Sequence, residues 1–417
     1  MNQPDPSFPS LHIRPRRGWL NDPNGVCRID GRYHVFFQYN PAAPVHADVV
    51  WGHASSTDLL HWTEHPVALE RRPGTITEVG CWTGCVVDDD GVPTAVYTAV
   101  HDRAGNAQVA LARSDRTMIT WTQDDHGVMG MPDPAFTDVR DPFVFTVDGR
   151  RYAIQGAGKP GGEPAVLLYG CDRLDDWTEL GRLVDHADPI AAEHAPGDIW
   201  ECPNLALIDG RWVLIISLIQ TAGRDAPSDV AYLVGDLVPD GDGLRFVATS
   251  GGGLDTGTTF YAPQLVALPD RTLLWGWARE TGRAAEDILA AGWAGVLTYP
   301  RELRVVDGVL VSSPAAELTG LRRAELDPRT KITESAFEIT GRFRGRFTLA
   351  TTAPVVDLTA ETDTELRVLV DGSLIEAFVD GRQPITVRAY STAGTAWRVE
   401  SGDADLRAWR LGLPETS

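Results

Sequence analysis

The sequence has no long apolar run. No stretch of its 417 residues approaches the roughly 20 residues that cross a bilayer as a helix, which argues against a helical membrane span. The N-terminal stretch MNQPDPSFPSLHIRPRRG holds no apolar segment of the kind a secretory signal carries, so a cytoplasmic location is expected. Cysteines are few: Cys27, Cys81, Cys85, Cys171 and Cys202. An odd number without a leader points to reduced thiols rather than a disulfide framework. Cys81 and Cys85 lie close together, but no second His/Cys pair follows at ligand spacing, so neither zinc nor another metal or cofactor is expected. Positive charge is in deficit, with 37 Lys+Arg against 58 Asp+Glu and a formal net charge of −21. Such a surface argues against nucleic acid or an anionic membrane as partner and suits a neutral small molecule better than a polyphosphate. Helical periodicity is also scarce; before residue 310 its best instance is the stretch 283–291.

Turns, by contrast, are abundant. Asp-Gly between β-rich runs is a strong hairpin signal, because the tight turn needs positive φ. Asp30-Gly31, Asp90-Gly91, Asp148-Gly149 and Asp209-Gly210 recur, and Asp270-Arg271 follows in phase; the intervals are 60, 58, 61 and 61 residues by subtraction. After each comes a strand-like run: RYHVFFQY, VPTAVYTAV, RYAIQGAG, RWVLIISL and TLLWGWA. Trp62, Trp121 and Trp177, in HWTE, TWTQ and DWTE, form a second landmark about one period apart. Five β-rich units of this length predict a five-bladed β-propeller, in which stacking buries the apolar face each blade would otherwise expose. From Ser312 the phase is lost. ELRVLVDGSLIEAFVDGRQPITVRAY carries two further turns, at Asp371 and Asp380, and reads as a C-terminal antiparallel β-sandwich. The expected organisation is all-β, with a propeller over 1–311, a sandwich over 312–417 and a packed interface between them.

Three repeats begin with an acid. Asp22 stands eight residues before its turn, Asp141 seven and Glu201 eight, in NDPNGVCRIDG, RDPFVFTVDG and ECPNLALIDG. Each is followed by a proline one or two places on, then an apolar run and the turn. In blades two and five the same place holds Trp82-Thr83 and Tyr261-Ala262. Equivalent positions on innermost strands share a radius and height, so three carboxylates are expected in one register at one mouth of the channel. A single acid at a strand start is ordinarily a solvated cap. Three held together cost free energy and push their pKa values apart, and packing alone gives no reason to gather them. Paired carboxylates without a metal motif suit glycoside hydrolysis, which needs one acid ionised and another protonated. Trp19, Trp51, Trp82 and Trp200 suit the apolar faces of sugars, although a tryptophan taken singly is more often a core residue.

These stretches resemble glycoside hydrolase family 32, the invertase and fructan hydrolase family. GWLNDPNG (18–25) resembles the family's sucrose-binding signature, with Leu20 in place of Met; FFQYNP (36–41) and WGHASSTDLLHW (51–62) follow at the expected places. VRDPFVF (139–145) resembles the RDP motif and WECPN (200–204) the EC motif, while FYAPQ (260–264), GWAGVLTYPREL (292–303) and VDGSLIEAFVDG (370–381) match later blocks. Family members have a five-bladed propeller followed by a β-sandwich. By resemblance, Asp22 is the nucleophile, Glu201 the general acid and then base, and Asp141 the transition-state stabiliser. Asn21, Gln38, Trp51, Trp82, Thr83 and Arg140 correspond to positions around the fructose subsite, with Arg140 expected to keep Asp141 ionised, and Asp255 to an acid near the leaving group.

The resemblance implies a retaining, exo-acting β-fructofuranosidase on sucrose or short fructans, with no cofactor. It leaves oligomeric state and preferred substrate open. WTGC (82–85) departs from the family's usual FSGS, and Thr259 stands where many bacterial members carry Asp; both departures bear on substrate preference and leave the three acids untouched. A fructosyltransferase on the same scaffold, an inverting five-bladed pentosidase with more widely separated acids, and a non-catalytic fructan-binding protein are the competing readings.

Overall fold

The structure, a computed structural model, describes residues 5–102, 106–130, 135–220, 229–392 and 394–415. Five antiparallel four-stranded blades follow in chain order. Blade one comprises Gly18–Ile29, Arg32–Asn40, Val50–Ser56 and Thr63–Leu69, and blade two Gly80–Asp89, Val92–Val100, Ala107–Ser114 and Trp121–Gln123. Blade three comprises Asp138–Val147, Arg150–Gly158, Ala165–Arg173 and Asp176–Asp185; blade four, Ile199–Ile208, Arg211–Ile219, Val230–Asp240 and Gly243–Gly253. Blade five comprises Phe260–Ala267, Thr272–Ala278, Arg301–Val306 and Val309–Pro314. The first strand of each blade touches the first strand of the next, and that of blade five returns to blade one, which closes a five-bladed ring. Trp293–Ala294, running parallel beside Gly18 and Trp19, reinforces the closure.

Turn chemistry explains the repeat. Asp30 and Gly31 take φ of 49° and 80°, and Asp90-Gly91, Asp148-Gly149 and Asp209-Gly210 do the same. Left-handed backbone at both central positions is the hairpin geometry whose twist matches that of the strands. At Asp270-Arg271 neither residue has positive φ, and the Leu268 N–H instead donates to the Arg271 carbonyl. The tryptophan landmark is a repeated staple: the indole N–H of Trp62, Trp121 and Trp177 donates to the carbonyl three residues earlier, on Leu59, Met118 and Leu174. A helix forms at Ala285–Ala291, within the stretch singled out by its periodicity, and another at Pro189–His194, which periodicity does not indicate. Among the described residues no helix is long and apolar enough to cross a membrane.

The outer strand of blade five runs on to Pro314, so the expected boundary at 311/312 falls inside it. The C-terminal sheet has the strand order Arg322–Leu326, Arg398–Leu411, Ala336–Ala350, Pro354–Asp371, Leu374–Val379 and Ile385–Arg388. Its long strands slip register near Phe343–Phe347 and fold the sheet over itself. Phe337 pairs with Arg410, yet its ring lies 5.8 Å from that of Trp397, just beyond the far end of the same strand. The two halves thus enclose one core, as in a sandwich.

A buried ion network locks the two units together. Arg301 of blade five pairs with Asp255 at 2.8 Å and with Glu376 of the sandwich at 2.7 Å. His12 lies 2.7 Å from Asp371 and 3.4 Å from Glu376, with its ring 3.6 Å from that of Tyr299. Burial alone would lower the His12 pKa, but hydrogen bonds and charge from the two carboxylates raise it overall. A second histidine group, in blade one, has the opposite sense. His34 Nδ1 is 3.0 Å from His53 Nε2, and the His53 ring packs against Phe36 and His65. Burial, with His65 and Arg32 adding to it against Asp30, lowers His34 to about 4; burial, with His65 and His34, lowers His53 to about 2.

The two groups give stability opposite dependences on pH. His34 and His53 contribute stability that is complete above their unfolded pKa, about 6.5, and is lost as pH falls towards 4. His12 contributes stability that is complete below about 6.5 and is lost as pH rises through its folded value. In thermal melts across pH, His34→Gln should flatten the acid limb and His12→Gln the alkaline limb. Parallel curves for parent and variants would contradict this assignment.

Candidate active site

Every innermost strand carries a β-bulge close to the expected acid positions, leaving 21–22, 82–83, 141–142, 202–203 and 262–263 outside the regular ladder. The ladder slips between Leu20 and Pro23, Cys81 and Gly84, Arg140 and Phe143, Glu201 and Asn204, and Tyr261 and Gln264. A bulge leaves a residue unpaired and re-aims side chains, which is also where a strand tolerates proline. Asp141, Cys202 and Ala262, each preceding a proline, take φ of 62°, 46° and 42°. Such left-handed backbone at non-glycine residues is strained and persists only where its surroundings enforce it.

Counting back along the ladder from the Asp-Gly turns corrects the expected register. Asp22, Thr83, Asp141 and Cys202 form one tier, joined by Ala262 at the matching place before Pro263, with Asn21, Trp82, Arg140, Glu201 and Tyr261 one residue upstream. Asp22 and Asp141 therefore share a tier, but Glu201 belongs to the other, beside Arg140 and Tyr261. The eight-residue spacing of Asp22 from its turn includes the extra residue of a second slip, between Asn24 and Cys27; that of Glu201 does not.

In the deeper tier, Asp22 Oδ2 accepts from Thr83 Oγ1 at 2.7 Å and Gln38 Nε2 at 3.0 Å, and Oδ1 accepts from Asn21 Nδ2 at 3.1 Å. Asp141 Oδ2 accepts from the Cys202 N–H at 3.0 Å. The Cys202 sulfur joins the two acids, 3.8 Å from Asp22 Oδ2 and 3.5 Å from Asp141 Oδ2. In the upper tier Glu201 is gripped from both sides: Arg140 Nε and Nη2 donate to Oε1 at 3.0 and 2.8 Å, and the Tyr261 hydroxyl donates to Oε2 at 2.6 Å. Below, Gln264 links the Val26 N–H to the Gly84 carbonyl, and Asn204 binds Cys202 and Pro263, which ties the strands together under the site.

Burial sets the electrostatics. It raises the pKa of Asp22, opposed by the Thr83 and Asn21 hydrogen bonds and reinforced by the charge of Glu201. It raises Asp141 to about 7, against the pull of Arg140 and with the charges of Glu201 and Asp22 adding to it. Arg140 was expected to hold Asp141 ionised, but its Nε is 4.0 Å from Asp141 Oδ2 while its short bonds go to Glu201. Burial and the three neighbouring carboxylates push the Cys202 thiol well up, so it remains a neutral S–H between two acids.

Asp22, Asp141, Glu201, Asn21, Gln38, Thr83 and Arg140 thus converge. The Trp82 ring is partly exposed, 5.9 Å from the Arg140 guanidinium carbon. Trp51 is completely buried and acts from behind, its indole N–H donating to the Trp82 carbonyl. Trp200 is completely buried as well, bonded to the Ala195 carbonyl, so neither ring offers a sugar platform. Trp19 is partly exposed and packs edge-on to Trp277. Asp255 is not in this group: Arg301, Thr386 and the Gly257 N–H take up its carboxylate in the interface network. Sequence reasoning gave no role to Cys202 or Tyr261; the available signal was their places in the repeat.

A propeller whose mouth carries a buried pair of acids and a third acid clamped above them is built like a glycoside hydrolase site. Residues 12–314 match the glycosyl hydrolases family 32 N-terminal domain and residues 328–410 the family 32 C-terminal domain. The chain belongs to glycoside hydrolase family 32. It is 33% identical over 332 residues to a sucrose-6-phosphate hydrolase from Zymomonas mobilis, covering 76% of this chain and 64% of that protein. It is 35% identical over 350 residues to fructan 1-exohydrolase w3 from Triticum aestivum, covering 76% of this chain and 56% of that protein. A solved sucrose-6-phosphate hydrolase from Lactobacillus gasseri shares the fold, with a TM-score of 0.83 and 24% identity over 98% of this chain and 93% of that one.

The relocation of Asp255 is testable. Asp255→Asn removes one partner of a buried ion pair and should cost about 3 kcal/mol of stability in denaturant melts, while turnover per folded molecule stays near the parental value. Lost turnover at unchanged stability would return Asp255 to the site.

Proposed function

We propose that this protein is a retaining, exo-acting β-fructofuranosidase that releases terminal fructose from sucrose or short fructo-oligosaccharides. The observation that carries the reading is the division of labour between the tiers. Three donors hold Asp22 as an acceptor deep in the pocket, while Glu201 sits above it and nearer solvent. Family membership and relatives named as sucrose-6-phosphate hydrolase and fructan exohydrolase support the substrate class. Exo action is supported by the floor that Gln264 and Asn204 make beneath the acids, which favours a chain end over an internal unit.

In this reading Asp22 attacks the anomeric C2 and forms a bond from Oδ to carbon as the C2–O bond to the leaving sugar breaks. Glu201 gives its proton to the departing oxygen. Asp141 binds fructose hydroxyls and steadies the oxocarbenium-like state. Water, deprotonated by Glu201, then opens the fructosyl ester and restores Asp22, so configuration is retained after two inversions. Arg140 and Tyr261 fix the direction in which Glu201 faces.

Asp22→Asn and Glu201→Gln should each lower kcat for sucrose by about 10²–10⁴-fold or more, measured as fructose released. Near-parental turnover in either variant would refute the assignment. Proton NMR of the first-formed product should show β-fructofuranose; the inverted anomer would favour the pentosidase-like mechanism.

A further inference from the structure

Arg140 is shared between two carboxylates. Its Nε and Nη2 go to Glu201, and its Nη1 goes to Asp138 Oδ1 at 2.5 Å. Asp138 opens the inner strand of blade three, two residues before Arg140, and its side chain is about one-third exposed at 32%. It touches none of Asp22, Asp141 and Glu201 directly, and neither the motifs nor the resemblance assigns it a role.

We propose that Asp138 is a positioning residue for the proton donor: it anchors the Arg140 guanidinium and offsets the positive charge that reaches Glu201. This rests on the function proposed above. The planar guanidinium presents two edges: Nε and Nη2 direct Glu201, while Nη1 is held by Asp138, so the second carboxylate both fixes the plane of the fork and places a negative charge against the positive one beside the proton donor. The other groups facing Glu201 are Asp22 from blade one, Asp141 from blade three, the neighbouring Cys202, and Tyr261 from blade five. Arg279 lies over the Tyr261 ring at 4.8 Å and is itself paired with Asp229. Within this set, Asp138 is the carboxylate bonded to the far side of Arg140.

Two substitutions separate charge from anchorage. Asp138→Asn keeps an oxygen to accept from Nη1 and removes the negative charge; Asp138→Ala removes both. The readout is kcat/KM and kcat for sucrose across pH, with thermal melts to confirm folding. Asp138→Asn should move the alkaline limb to lower pH by about half a unit or more with little loss of plateau kcat. Asp138→Ala should move the limb likewise and lower plateau kcat further. An alkaline limb that superimposes on the parent's, or moves upward, in folded Asp138→Asn overturns the proposal. A parent protein that releases no fructose overturns the proposed function and this assignment together; an active parent with an unmoved limb overturns this assignment alone.

Discussion

Burial of Asp22 and Asp141 at the propeller axis is the constraint to which the rest of the mouth responds. Two buried carboxylates on either side of one thiol, with a third overhead, would be unstable without compensation. The compensation comes from separate blades. Thr83 and Gln38 supply donors to Asp22, the Cys202 backbone supplies one to Asp141, and Arg140 supplies a full charge to Glu201. No one blade could provide this. The ring closure that brings five inner strands together is therefore what makes the site possible.

The bulges convert that ring into a site. In a regular strand alternate side chains face opposite sides of the blade, and two successive residues could not both serve one pocket. The slip at each inner strand lets Asn21 and Asp22, or Glu201 and Cys202, both contribute. Strain at Asp141 and Cys202 is tolerated because Thr98 accepts the Asp141 N–H and Asp141 accepts the Cys202 N–H, so the misdirected backbone remains hydrogen-bonded. The interface network around Arg301 acts at a distance. By seating the sandwich against blade five it secures the blade that carries Tyr261.

Much of this was legible in the sequence. Asp-Gly turns report their own φ requirements, so blade number followed from spacing alone. The acids announced themselves by recurring where strands begin. The one-residue offset of Glu201 was not legible, because counting from the turn cannot see a second bulge near Gly25 in blade one. Nor could sequence say which tryptophans face the channel: Trp51, in VVWGHA, and Trp82, in GCWTGC, lie on neighbouring blades among similarly small and apolar residues, and only packing decides that one is core and the other rim. Asp255 misled for a different reason. Its place near the leaving group came from resemblance alone, and nothing in the local sequence shows that Arg301, distant along the chain, lies beside it and holds its carboxylate in the interface.

The central claim is that Asp22, held by Asn21 and Thr83 from the inner strands of blades one and two and by Gln38 from the second strand of blade one, supplies the oxygen that bonds to sugar. Glu201→Gln offered a fructoside whose leaving group needs no proton tests it most directly, because the first step proceeds while the second lacks its base. Intact mass followed by peptide mapping should find one fructosyl unit esterified within the peptide containing Asp22. A stable adduct on a different carboxylate, or free fructose released with no adduct and with inverted configuration, would contradict the account.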